Sequence, residues 1–460
     1  MSDLPIGWIK TTLSDVASQG QYGWTSKATD KGRVKYLRTT DITSGRINWD
    51  TVPYCQDNPP SVEKYKIASG DILISRAGSV GFSVLVQDIP PTSAVFASYL
   101  IRYIPKAEVN PKFIAHFLQS PNYWRQISDA SAGIALANVN AKKLADVVLP
   151  LAPLNEQKRI ADKLDSLLTR VDACERRLER VPQILKRFRQ SVLAAATSGR
   201  LTEGWREEKR IDGEWGYTDV QSVALVGTGS TPLRSNASFY ASKGTPWITS
   251  AATGDPFIND AKEFVTKEAI KIHRLKLYPI GTVIVAMYGE GKTRGQVSEL
   301  AIQATINQAC AAIIIDETKI EKKYLKLALQ ANYLEMRELA EGGNQPNLNL
   351  TKIKEFTFPF PSLEEQAEIV RRVETLFAFA DRLEARYAAG HGLVGRLTPS
   401  LLAKAFRGEL VEQDPADEPA SVLLERIREA REAEQMGPNR KSRKSKPIAR
   451  KSGVPNIEDK

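Results

Sequence analysis

Residues 149–168, LPLAPLNEQKRIADKLDSLL, return at 358–377 as FPFPSLEEQAEIVRRVETLF, an offset of 209. Pro150 matches Pro359, Leu154 matches Leu363, and Glu156-Gln157 matches Glu365-Gln366. Upstream, Gly133, Asn138 and Asn140 match Gly342, Asn347 and Asn349. Downstream, Ser191, Leu193, Gly199 and Leu201 match Ser400, Leu402, Gly408 and Leu410. No gap is needed over about 70 residues, so the chain must fold as one unit built twice. Nearer the N-terminus the offset becomes 211 and the matches thin out: Ile47-Asn48 with Ile258-Asn259, Gly70 with Gly281, Gly78 with Gly289. Each copy is a variable part followed by a better-matched helical part.

The helical parts carry heptads. Ile160, Leu164, Leu167, Val171, Cys174, Leu178 and Val181 step by alternating fours and threes, as do Ile369, Val373, Leu376, Ala380, Leu383 and Tyr387. That is the a/d seam of a coiled coil. Ser362 and Glu365 are spaced as a capping box. Pro182 should end the first long helix and Gly390-His391-Gly392 the second. Each is then about 26 residues, or about 40 Å, and pairing them with each other is the economical way to bury both seams. Shorter helices are expected at Ile184–Ala196 and Ser400–Ala405, with Gly199 and Gly408 as C-caps.

In the variable parts, residues 67–86 and 278–300 read as hairpins with Gly-rich turns. Helical stretches follow at Pro111–Ile127 and Lys322–Leu339. A last helix is expected at Ser421–Glu434, then a Lys/Arg/Ser/Pro-rich tail of disordered composition. The expected fold class is α+β: two repeated mixed α/β domains separated by two long helices in an antiparallel coiled coil. The divisions are 1–150, 151–205, 206–359, 360–412 and 413–460.

Charge bears on partners only where it is located. Of the net +10, six charges fall in residues 436–460, which leaves only +4 for the other 435. Three cysteines and three scattered histidines give no disulfide framework and no metal-ligand spacing. No apolar run approaches the ~18 residues of a membrane span, and MSDLPIGWIK lacks the shape of a signal peptide. A cytoplasmic location is expected.

Three segments imitate catalytic motifs. Ala286–Thr293 fits a loose phosphate-loop pattern, but Arg294-Gly295-Gln296 is a poor helix start, and a P-loop needs a helix at that point. Asn58-Pro59-Pro60-Ser61 resembles the adenine-stacking motif of amino-methyltransferases, with serine where the aromatic belongs. Gly227-Thr-Gly229 lacks an acidic residue about 20 positions on. No nucleophile–base arrangement is recognisable. What remains is basic, polar and aromatic residues on turns: Tyr22, Trp24, Lys27, Arg38, Thr39, Thr40, Arg76 and Ser79 in copy one, and Arg234, Asn236, Ser250, Tyr288, Lys292 and Arg294 in copy two. These types contact base edges and phosphates of DNA.

This organisation resembles the specificity subunit of type I restriction-modification systems. The resemblance spans about residues 1–412 and rests on Leu4-Pro5-Ile6-Gly7-Trp8, Tyr36–Ile42, Ser75–Gly81, Gly229–Pro232, Pro246-Trp247-Ile248, and the Pro…Leu-x-Glu-Gln entry to each heptad helix. It implies two target recognition domains, each reading half of a bipartite, asymmetric site on double-stranded DNA, with the paired helices fixing the gap. It implies no cofactor in this chain. Catalysis would fall to two modification subunits, which use S-adenosylmethionine to methylate adenine N6, and two ATP- and Mg-dependent restriction subunits. Copy two departs at its opening, with Gly213-Glu-Trp215 in place of Leu-Pro-x-Gly-Trp. The competing readings are a P-loop or methyl-transferring enzyme and a coiled-coil DNA scaffold without sequence preference.

Overall fold

The computed structural model describes residues 4–131, 138–289, 293–332 and 348–435. The chain divides into two compact units, Met1–Arg177 with His391–Lys460, and Leu178–Gly390. The helices used below are α1 (Pro111–Phe117), α2 (Leu154–Leu178), α3 (Val181–Thr197), α4 (Lys322–Ala331), α5 (Leu363–Ala405) and α6 (Ala420–Gln435).

In the first unit, β1 (Ile9–Thr12) pairs antiparallel with β10 (Val148–Leu151), from Ile9↔Leu151 to Thr12↔Val148. Between them lie two four-stranded sheets. One has the order β2-β9-β6-β7, with β2 at Gln21–Tyr22, β6 at Ile72–Ser75, β7 at Ser83–Leu85 and β9 at Leu100–Tyr103. The other has the order β3-β5-β4-β8, with β3 at Ala28–Thr29, β4 at Lys35–Leu37, β5 at Tyr54–Cys55 and β8 at Ala94–Phe96. All four residues of β6 are buried, as a strand covered on both faces requires.

The second unit repeats this plan with one strand added at the edge of its first sheet. β11 (Gly216–Asp219) pairs with β21 (Thr357–Phe360) from Gly216↔Phe360 to Asp219↔Thr357. One sheet runs β12 (Ala224–Thr228), β20 (Cys310–Ile315), β17 (Val283–Ala286), β18 (Val297–Leu300) and β15 (Phe257–Ile258). The other runs β13 (Tyr240–Ala241), β16 (Glu263–Val265), β14 (Thr245–Ile248) and β19 (Thr305–Ile306). Even the unusual parallel pair recurs, as β4 with β8 and β14 with β19. The sparse matches of the variable parts therefore mark a true duplication of fold. Both expected hairpins are present, as β6–β7 and β17–β18.

Several expectations need correction. The second long helix does not stop at Gly390–Gly392; α5 runs 43 residues to Ala405, with Pro399 inside it. Glycine weakens a helix by only about 1 kcal/mol, and beyond these glycines Leu402, Ala405 and Phe406 are buried in the first unit's core, which holds the helix on course. The separate helix at Ser400–Ala405 is simply its end. The first helix does break near Pro182, which sits in the first turn of α3, where its missing N–H costs nothing. The stretch Pro111–Ile127 is split by Pro121, into α1 and a helix at Pro121–Ser131. Of the stretch Lys322–Leu339, α4 covers the described part.

The heptad seams serve more than one purpose. Ile160 and Leu164 are buried with Phe113, Phe117, Leu402 and Phe406. They belong to the core of their own domain together with the end of α5. Ile369 and Val373 are likewise buried with Tyr324, Leu325 and, from α3, Val192 and Ala196. Further along, Val171 and Ala380 are buried, Leu167, Leu178, Leu376, Leu383 and Tyr387 half-buried, and Cys174 exposed. The first three turns of each helix are thus used as domain core, because a helix leaving a sheet must cover that sheet before it can meet another helix. Among the described residues no helix is long and apolar enough to cross a membrane.

Candidate nucleic-acid interface

The repeated Glu-Gln pair fixes the sheets of each unit to the helix that follows them. Gln157 Nε2 donates to the Ala152 carbonyl at 2.8 Å while its Oε1 accepts from Asn110 N at 3.0 Å. Gln366 does the same with Pro361 at 2.8 Å and Glu321 N at 2.8 Å. Glu156 accepts from Trp8 Nε1 at 2.9 Å, and Glu365 from Trp215 Nε1 at 3.0 Å. Trp215 is therefore the structural counterpart of Trp8. The expected capping box is only half made. Ser362 Oγ accepts from Glu365 N at 3.3 Å, but the Glu365 carboxylate is drawn away to Trp215 and Thr202 Oγ1, the latter at 2.6 Å. Asn140 and Asn349 cap short helices through Lys143 N and Lys352 N. Gly133, Gly342 and Asn347 lie outside the described residues.

Held this way, each domain gathers its loops at one rim, at the C-terminal ends of the parallel strand pair. In the first unit Ala97 N donates to Leu37 O at 2.9 Å, Ser98 N to Trp24 O at 2.8 Å, Arg76 N to Tyr99 O at 2.9 Å, and Val139 N to Arg76 O at 3.0 Å. The second unit repeats the arrangement: Asn307 N donates to Ile248 O at 2.9 Å, Met287 N to Ala309 O at 2.8 Å, and Thr228 Oγ1 to Cys310 O at 2.9 Å. Where the chain crosses between its two sheets it needs glycine. A Cβ on Gly23 would collide with the Phe96 and Ala97 carbonyls, and one on Gly229 with the Ile306 carbonyl. The Gly227-Thr-Gly229 motif is thus a strand crossover. The phosphate-loop look-alike also resolves: Ala286 ends β17, Gly295 N returns to the Ala286 carbonyl at 2.8 Å, and antiparallel β18 follows at Val297. A strand stands where a P-loop requires a helix.

The structure brings Tyr22, Trp24, Arg38, Thr39, Thr40, Arg76 and Ser79 to the first rim, and Ser250 and Tyr288 to the second, but it engages them differently. Trp24 donates its indole N–H to Asp57 O at 2.8 Å and packs on Tyr65, ring centroids 5.7 Å apart. Arg38 forks onto Asp41 at 3.1 and 2.9 Å, and that carboxylate holds its guanidinium above the ordinary arginine range. Thr39 and Thr40 form the 3-10 turn that follows. Arg234 forks onto Glu263 and lies over Tyr240 and Trp247, 5.0 and 4.9 Å from the ring centroids; Glu263 raises its pKa likewise. Asn236 Oδ1 caps the turn Ala237–Phe239. The Ser250 carbonyl accepts from Thr253 Oγ1 at 2.7 Å. Lys27 is exposed on the segment before β3. Arg294 sits on the β17–β18 loop with its Nε buried, while Lys292 lies outside the described residues. Arg76 lies over the exposed Tyr22 ring at 5.0 Å. Tyr99, 60% exposed beside Arg76, escaped sequence reading because only the non-local β4–β8 pairing carries it to the rim.

This two-unit construction is that of a known family. The type I restriction modification DNA specificity domain matches residues 5–183 and again 213–388, and the chain belongs to that family. The StySPI specificity subunit of Salmonella potsdam is 32% identical over 457 residues, spanning 93% of this chain and 96% of its own. The EcoKI specificity subunit of Escherichia coli strain K12 is 30% identical over 462 residues, spanning 94% and 97%. The HsdS subunit of Thermoanaerobacter tengcongensis shares the fold at a TM-score of 0.61, with 20% identity over 89% of this chain and 99% of that one. A chain solved in work on complex assembly and conformational transition of the type I R-M system reaches 0.68, with 21% identity over 89% and 100%.

Proposed function

We propose that this chain is the DNA-reading subunit of a type I restriction-modification complex and performs no catalysis itself. The observation that carries the reading is one strand order built twice with different side chains on the two rims. Arg38, Arg76 and Tyr99 in the first unit face no like residues at the corresponding places of the second, where Thr249, Met287 and Ala309 stand. Two equal frames with unequal faces suit two unequal half-sites on double-stranded DNA. Residues 1–150 and 206–359 are assigned as the first and second recognition domains, residues 151–205 and 360–412 as the scaffold, and 413–460 as a helix with a basic tail. The long helices act as an antiparallel pair that sets the spacer and seats two modification and two restriction subunits. S-adenosylmethionine, ATP and Mg act in those subunits, in the cytoplasm.

Replacing residues 10–145 by the variable domain of a related subunit, in the full complex, tests the reading by sequencing the methylated sites. One half of the motif should change, while the other half and the gap persist. A change in both halves, or in the gap, would refute one domain per half-site.

A further inference from the structure

Arginine reads guanine best when its two terminal nitrogens reach O6 and N7 together, which requires a guanidinium already held in one plane. Most of the arginines singled out on the two units are already engaged. Arg38 is occupied by Asp41 and Arg234 by Glu263. Arg102 is tied to Asp71 and Gln21. Arg76 is different. Among the described residues no hydrogen bond or ion pair engages its guanidinium, whose carbon lies 5.0 Å from the centroid of the Tyr22 ring. Tyr22 is itself fixed, its hydroxyl accepting from Ala141 N at 3.0 Å.

The backbone beneath Arg76 is clamped on both sides, by Tyr99 O at 2.9 Å and Val139 N at 3.0 Å, and the next residue, Ala77, bridges to Asn138. Its Nε is buried without a partner, and so is the neighbouring Asn138 Oδ1. Such orphans are rare in folded proteins and call for a reason. A side chain aimed at an external partner through its terminal nitrogens supplies one, because end-on recognition of guanine does not use Nε.

We propose that Arg76 is a specificity-determining residue of the first recognition domain and reads one guanine in its half-site, with Tyr22 as the platform that fixes the guanidinium plane. This rests on the reading of the chain as a DNA-specificity subunit. The test uses the complete complex with wild-type chain, Arg76→Lys and Arg76→Gln, all checked for unchanged thermal unfolding, with site-resolved sequencing of methylated DNA. The wild-type motif should carry a guanine in the half read by the first domain. Arg76→Gln should lower the preference for guanine at that one position by about 5- to 150-fold, leaving the other half and the gap as they were. Arg76→Lys keeps the charge without the planar fork and should restore overall binding more than discrimination. An unchanged motif in Arg76→Gln overturns the assignment. So does an even loss over all sequences that lysine fully repairs, since that marks a phosphate contact. A wild-type complex with no bipartite motif would instead overturn the function proposed for the whole chain.

Discussion

Glu156 and Glu365 take the same indole hydrogen bond in different company. Glu365 also receives Thr202 Oγ1 at 2.6 Å, whereas Glu156 Oε1 is buried with no partner. Trp8→Phe should therefore cost the first unit about 1–3 kcal/mol, the penalty for stranding a buried acceptor, and Trp215→Phe should cost the second unit less. Urea unfolding of the two variants measures the difference, and equal losses would show that the carboxylates are equally supported. Burial also pushes the Glu156 carboxyl above its ordinary 4.5, against the pull of the Trp8 N–H. The folded state thus favours the protonated acid, so stability falls as pH rises from the ordinary carboxylate range through the raised folded value, and stays lowered above it. Glu156→Gln still accepts from Trp8 and is neutral at every pH. Its stability relative to wild type should climb as pH rises above the ordinary carboxylate range, and a flat difference would mean that the carboxylate carries no burial penalty. The Glu-Gln motif was legible from its repetition, but its role was not. Spacing alone suggested a local cap, and a tryptophan 150 residues away in sequence took the carboxylate instead.

Among the elements, α5 sets sequence preference most openly against tertiary packing. Gly390, Gly392 and Gly395 lie within the helix, and a Cβ at any of them would meet nothing within 4 Å. Replacing each by alanine should stabilise the protein by about 0.5–1 kcal/mol per site, read as a rise in melting temperature. A loss from the triple variant would mean that the glycines are needed for a bend. The hairpins, the helices after them and the α2–α3 break could be read in advance because local chemistry dictates them: alternating β-branched runs, positive-φ glycines, a proline in a first turn. The two-residue strands β2, β3, β5, β13, β15 and β19 could not, since nothing within two residues distinguishes a strand from a loop. The loops of the rim shared that obscurity, which is why Arg38 and Arg234 looked available when each is already bound to a carboxylate.

At the scale of the molecule, the first unit is assembled from both ends of the chain. Ala420 N donates to Gly7 O at 2.8 Å, Arg159 pairs with Asp417 at 2.7 Å, and Ala420, Leu423 and Ile427 of α6 are buried in the same core as Trp8 and Leu13. Deleting residues 420–460 should cost the first unit on the order of 5 kcal/mol, at about 1.5–3 kcal/mol for each large apolar side chain exposed. Deleting only 437–460 should leave stability unchanged and weaken binding to all duplexes alike at low salt. Calorimetry of the two truncations distinguishes them, and similar melting curves would mean that α6 is dispensable.

That arrangement inverts the order of synthesis. The second unit is one uninterrupted stretch, Leu178–Gly390, and can close as soon as it leaves the ribosome. The first unit, although translated earlier, must wait for Leu402, Phe406 and α6. Domains usually fold from the N-terminus as they emerge; here the first-made domain is completed last. A message cut short between Gly390 and α6 therefore yields a chain whose second unit is whole and whose first is open.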